Sequence, residues 1–124
     1  MKTDTVSKEF MVKDSGKRMD YQSGMRRDTT EGKPMYSLID RTFLYRLAMH
    51  LTRGAEKYGR DNWRLADSQE ELDRFKDSAF RHFMQWLNGD EDEDHMAAIA
   101  FNLFAAEYVK SRLENTDGTL SELQ

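Results

Sequence analysis

The stretch Ser68–Asn102 reads SQEELDRFKDSAFRHFMQWLNGDEDEDHMAAIAFN, and its periodicity decides the fold. Ser68 with Glu71 three residues on forms a capping box, the pattern that opens a helix by satisfying free backbone N–H groups. Leu72, Phe75, Ala79, Phe83 and Trp86 then recur at the spacing of one buried helical face. Gly89 ends that helix, because glycine enters the left-handed region at no steric cost. The acidic run Asp90-Glu91-Asp92-Glu93-Asp94 leads into another helix, whose positive N-terminal dipole suits acids. Ile99, Leu103, Ala106 and Tyr108 mark its expected buried face. Two antiparallel helices joined at Asn88-Gly89 follow from this pattern.

Upstream, a further helix is expected to begin near Ser37, with Asp40 as the acid of a short capping box. Ile39, Phe43, Leu47, Leu51 and Ala55 recur every four residues, and Gly59 closes the helix. Residues 60–67 connect it to the next one. Residues 1–36 are polar, lack periodicity and end at Pro34. They read as an extended arm with one short strand or helix. The expected organisation is an N-terminal arm over 1–36, a helical domain over 37–114 and a flexible polar tail over 115–124. With one proline and seven glycines the fold class is all-α, a small helical bundle. Three helices cannot enclose a large polar site alone, so completion by a homodimer or higher homo-oligomer is expected.

The 124 residues fit one domain. Lys plus Arg is 19 against 23 Asp plus Glu, a net charge of −4, so stable nucleic-acid binding is not expected. Without cysteine there is neither a disulfide framework nor a thiolate metal site, and a metal must be held by carboxylate, imidazole or amide groups. No apolar run approaches the roughly 20 residues that cross a bilayer. The opening Met-Lys-Thr-Asp-Thr carries no apolar signal segment, so the default compartment is the cytoplasm.

Three constellations bear chemistry. In the first, His82 lies on the apolar face with Ala79 and Trp86, while Glu91, His95, Ala98 and Asn102 form a stripe on the following helix, with Asp94 beside it. The antiparallel hairpin brings His82 toward Glu91, Asp94 and His95. Carboxylates with imidazoles suit Mg²⁺ or Mn²⁺, and such a cation serves phosphate-ester hydrolysis. The plain alternatives stand beside this: a solvated acidic cap, hydrogen-bonded core histidines (His50 above all), and an Asn102 that crosslinks helices. The second is Gly24–Lys33, where Arg26, Arg27 and Lys33 offer donors for phosphate without the spacing of a Walker loop. The third is Glu56–Trp63, where Tyr58 or Trp63 either stacks on a base or plugs the core.

Taken in order, Arg53–Trp63 resembles a GAxKYGxxNW pattern, followed by Asp77–His82, by Trp86–His95 and by Asn102. With Gly24–Asp28 and Gly32–Pro34 upstream, about residues 22–110 resemble the phage and prophage family named for dATP/dGTP diphosphohydrolase activity. The resemblance implies hydrolysis of a purine deoxynucleoside triphosphate to dNMP and pyrophosphate, in the host cytoplasm if the chain is phage-encoded. It also implies kinship with the all-α nucleotide pyrophosphatases, the MazG and dimeric dUTPase group, whose helices carry an ExxE pair and then ExxD. Glu91–Asp94 satisfies ExxD, whereas Ala79 and His82 stand where the earlier glutamates would be.

The resemblance and the residues lead to one expected site. Glu91 and Asp94 hold Mg²⁺ or Mn²⁺, with His82, His95 and Asp77 as further ligands or outer partners. Glu56 or Asp77 orients the water. Arg26, Arg27, Lys33 and Lys57 hold the triphosphate, and Tyr58, Trp63 or Asn102 touches the purine nucleoside. The rival expectations are a non-catalytic protein that sequesters a nucleotide signal of host defence, and a purely structural interaction module.

Overall fold

The computed structural model describes residues 10–116. The chain divides into two compact units, Met1–Tyr36 and Ser37–Gln124.

In the first unit, strands β1 (Arg18–Asp20) and β2 (Arg26–Asp28) form an antiparallel hairpin in the register Arg18↔Asp28, Met19↔Arg27, Asp20↔Arg26. Exposed ion pairs accompany the ladder. Arg26 Nε donates to Asp20 at 2.6 Å, Arg18 lies 3.6 Å from Asp28, and Lys33 lies 3.5 Å from Asp28. The arm thus contains two short strands, where one short strand or helix was expected. A run of three residues per strand is too short for alternation to be visible.

The second unit is α1 (Arg41–Tyr58), α2 (Gln69–Leu87) and α3 (His95–Thr116), with a 3₁₀ turn at Asn62–Leu65 between the first two. A 3₁₀ turn at Tyr36–Leu38 spans the boundary with the first unit and takes up Ser37, so α1 starts later than the sequence suggested. Asp40 itself caps it, accepting from Phe43 N at 2.9 Å. The Ser68–Glu71 box forms as read: Ser68 Oγ accepts from Glu71 N at 3.2 Å and Glu71 Oε1 accepts from Asp67 N at 2.9 Å.

The core lies between α2 and α3 and gathers Ala66, Leu72, Ala106 and Val109, with Phe75 and Leu113 against them. Toward the α2–α3 turn the packing residues become small, Ala79 facing a helix that buries Ala97, Ala98 and Ala105. The buried side of α3 agrees in part with the face expected from the sequence: Ala106 is buried and Ile99 and Tyr108 are half-buried. Leu103 is 54% exposed, and the alanine side is buried instead. Small residues let two helix backbones approach closely, so the buried side of α3 is set by fit and not by bulk. On α2, Phe83 and Trp86 likewise remain about half exposed, at 42% and 46%. Among the described residues, no helix is long and apolar enough to cross a membrane.

Candidate active site

Three local features create the cleft. Gly59 ends α1 at φ +93°, and its N–H reaches back to Ala55 O at 2.8 Å. Asp61 then adopts the left-handed region at φ +61°, which Asp tolerates better than bulkier residues. The chain therefore turns sharply, and Trp63 drops into an aromatic cluster on α3, edge-on to Tyr108 at 5.2 Å, Phe104 at 5.4 Å and Phe101 at 6.0 Å. Arg64 covers the Trp63 ring at 4.5 Å, a cation–π contact. Arg112 of α3 fixes the same segment by donating to the carbonyls of Arg64 at 2.7 Å and Ala66 at 3.1 Å.

The result is a cleft of about 930 Å³ between the C-terminal half of α1, this turn and the acidic loop. One wall carries His50, Arg53, Gly54 and Lys57; the other carries Glu91–Asp94; Trp63 and Phe101 also line it. Lys57, Tyr58, Trp63, Glu91 and Asp94, five of the residues expected from sequence, do meet here. Glu56 is exposed on α1 and lies outside the lining, and Asp77 lines a separate depression with Glu70, Glu71, Asp73 and Arg74. Arg26, Arg27 and Lys33 belong to the hairpin unit, where Arg26 and Lys33 are already paired with Asp20 and Asp28.

Asp94 has two structural duties. Its carboxylate caps α3, accepting from Ala97 N at 3.1 Å, and takes a two-pronged pair from Arg46, Nη2 at 2.7 Å and Nε at 2.8 Å. The guanidinium, the first cause, with the backbone bond from Ala97, holds the Asp94 carboxyl down at about 2. Sequence reading missed Arg46, which stands 48 residues from its partner and carries no motif. Because the carboxyl is lowered on folding, its stabilisation is present above pH 3.8 and is lost as pH falls through about 2. Asp94→Asn keeps a good cap residue and removes the pair. It is expected to cost about 1 kcal/mol at neutral pH, discounted because the Arg46 side chain is 45% exposed. Urea unfolding should show that difference shrinking as pH falls from 3.8 through about 2; a difference independent of pH contradicts the assignment.

Behind the acidic loop runs a buried chain of imidazoles. His82 Nδ1 and His95 Nδ1 are 2.9 Å apart, and His95 Nε2 lies 2.8 Å from Asp92 Oδ1. His82 is 8% exposed and His95 2%. When His95 Nε2–H donates to Asp92, its Nδ1 accepts and His82 Nδ1–H is the donor; with Nε2 free to ligate, His95 Nδ1–H donates to His82. Burial, the largest cause, pushes His82 below its usual 6.5, and burial does the same to His50 in the cleft. Asp92, lowered chiefly by its bond with His95, holds the exposed end.

Asp90, Asp92 and His95 each offer one ligand atom, all within 4.8 Å of one another. Two hard carboxylate oxygens and an imidazole nitrogen are a donor set that Mg²⁺ or Mn²⁺ accepts. Asp90 is a member that sequence reading did not single out; the ExxD spacing drew attention to Glu91 and Asp94. Asn102 is buried, but its amide donates to Ala98 O at 2.8 Å, one turn back on its own helix.

A family model described as "dATP/dGTP diphosphohydrolase, N-terminal" matches residues 21–118. No curated protein and no solved structure matches the chain. The matched region takes in the hairpin strand β2, all three helices, both walls of the cleft and the His82–His95–Asp92 chain, and the protein belongs to this dATP/dGTP diphosphohydrolase N-terminal family.

Proposed function

We propose that the protein hydrolyses a purine deoxynucleoside triphosphate to dNMP and pyrophosphate, using Mg²⁺ or Mn²⁺, in the cleft between α1 and the acidic loop. The observation that carries this reading is the charge pattern of the two walls. Glu91 and Glu93 on one side, and Arg53 and Lys57 on the other, line the same cleft. Among the described residues none of the four forms an ion pair, while neighbouring charges such as Asp94 and Arg64 are paired. A cleft that keeps both signs uncompensated suits a metal–polyphosphate complex, which carries both signs as well.

Asp90, Asp92 and His95 would hold the cation, with His82 orienting the His95 ring from behind. The chemistry that such a cation would supply, held by these residues, is neutralisation of the polyphosphate and activation of water. Glu91 or Glu93, both lining the cleft, would accept a proton from water attacking the α- or β-phosphorus. Asp94, anchored to Arg46, fixes the loop and does not need to ligate. Tyr58, 69% exposed at the cleft, is the ring available to stack on a purine; Trp63 is committed to its aromatic cluster.

Incubating the full chain with each dNTP and Mg²⁺ or Mn²⁺, followed by chromatography, tests the reaction. dNMP from dATP or dGTP is the expected product. A nucleotide that binds and is recovered intact selects a sequestering protein instead, a reading favoured by the loss of Asp94 to its arginine.

We also propose a homo-oligomer. Phe80, Phe83, Met84 and Leu87 make an i, i+3, i+4, i+7 stripe on α2, each 42–67% exposed. Stripes of this kind are normally covered by a partner helix. Sedimentation should give at least twice the 14.6 kDa chain mass, and Phe80→Glu with Met84→Glu should return it to the monomer. A monomeric wild type contradicts the proposal.

A further inference from the structure

The α1 wall of the cleft has a feature that the fold itself does not require. Gly54 sits inside α1, four residues before its end, without the positive φ that would call for glycine. Glycine weakens a helix interior relative to alanine. A Cβ built on Gly54 meets nothing within 4 Å, so no packed neighbour excludes it either. What the missing Cβ leaves open is the cleft, which Gly54 lines. On either side of this gap along the helix stand Arg53 and Lys57, two cations of this wall that pair with no carboxylate among the described residues. They are four residues apart, hence on one helix face with Cβ atoms about 5–6 Å from each other.

We propose that Arg53, Gly54 and Lys57 form a polyphosphate track: the linked phosphates lie against the bare helix surface at Gly54 and are gripped at two points by Arg53 and Lys57. The track rests on the nucleotide reading given above and adds what selects among nucleotides. Two cationic heads one turn apart engage two phosphates of a chain at once, whereas a single phosphate satisfies only one. The site therefore discriminates by chain length, binding tri- and diphosphates and releasing monophosphate. Arg supplies fork-shaped bonds and Lys a point charge, a pair that grips phosphate without reading the base. Arg26 and Lys33, already paired in the hairpin unit, are not needed for it.

Titration calorimetry on the full chain with inorganic tripolyphosphate, pyrophosphate and orthophosphate, each with Mg²⁺, tests the track apart from any hydrolysis. The wild type should bind in that order of affinity. Arg53→Gln and Lys57→Gln, both exposed positions, should each weaken tripolyphosphate about tenfold or more and flatten the order. Gly54→Ala separates binding from folding: it should raise the melting temperature, as alanine strengthens a helix, yet weaken tripolyphosphate. Arg41→Gln, at the start of α1 outside the cleft, should change neither. Wild-type affinity in Arg53→Gln and Lys57→Gln, equal loss in Arg41→Gln, or no tripolyphosphate binding by the wild type overturns the track. If the track variants lose tripolyphosphate while dATP and dGTP are recovered intact from wild type, the track stands and the hydrolytic reading falls. If dNTPs are hydrolysed with a KM that these variants leave unchanged, the hydrolytic reading stands and the track falls.

Discussion

Asp92→Asn is expected to lower purine dNTP turnover at least about a hundredfold, because it replaces a charged carboxylate by a neutral amide at the place proposed to hold the cation against the polyphosphate. Asp92 is exposed at its outer end and lines the cleft, so the change should leave the helices folded. It also belongs to the Asp90–Asp92–His95 group and is the carboxylate to which His95 Nε2 is hydrogen-bonded. The loss should therefore appear in Mn²⁺ affinity as well as in turnover, and raising the Mn²⁺ concentration should recover part of the rate. An unchanged rate, or a lost rate with unchanged Mn²⁺ affinity, would place the cation elsewhere.

The second large effect is expected at His82→Ala. His82 touches neither the cleft lining nor the proposed cation, yet its Nδ1 lies 2.9 Å from His95 Nδ1 in a buried setting. Its removal leaves a buried ring nitrogen without its partner, at a cost of about 1–3 kcal/mol. It also frees the His95 ring to change tautomer and tilt, and loss of such an outer partner typically lowers metal affinity about 10–100-fold. His82→Asn, whose amide can both donate and accept, should restore part of the metal affinity. If His82→Ala loses stability while Mn²⁺ affinity stays at the wild-type value, His82 is a core residue and nothing more.

How far the sequence could be read depends on how local each cause is. The α2 N-terminus was legible because its capping box lies within four residues, and the Gly59 and Gly89 stops because each glycine acts alone. The hairpin strands were not, since strands of three residues leave no periodic trace. On α3, Leu103 departs from the expected buried face for a different reason. His95–Thr116 is apolar around much of its circumference, so periodicity does not choose a face. Ala97, Ala98 and Ala105 win over Leu103 because they let α2 approach.

The site divides the same way. The neighbourhood of His82 and His95 follows from one hairpin turn and was foreseeable. That Asp90 and Asp92 are the acids brought near His95 depends on the path of a five-residue loop, and five acids in a row look alike in sequence. Arg46 pairs with Asp94 across 48 residues, a contact that no local pattern encodes. Gly54 was visible as part of a motif, but its role depends on the space beside it.

Crystals of the full chain grown with Mn²⁺ and a non-hydrolysable purine deoxynucleoside triphosphate analogue provide the most direct test. Anomalous scattering should place one manganese peak against Asp90, Asp92 and His95, with the phosphates extending from it toward the α1 wall. Manganese bound at any other place, or a nucleotide seated outside this cleft, would contradict the account.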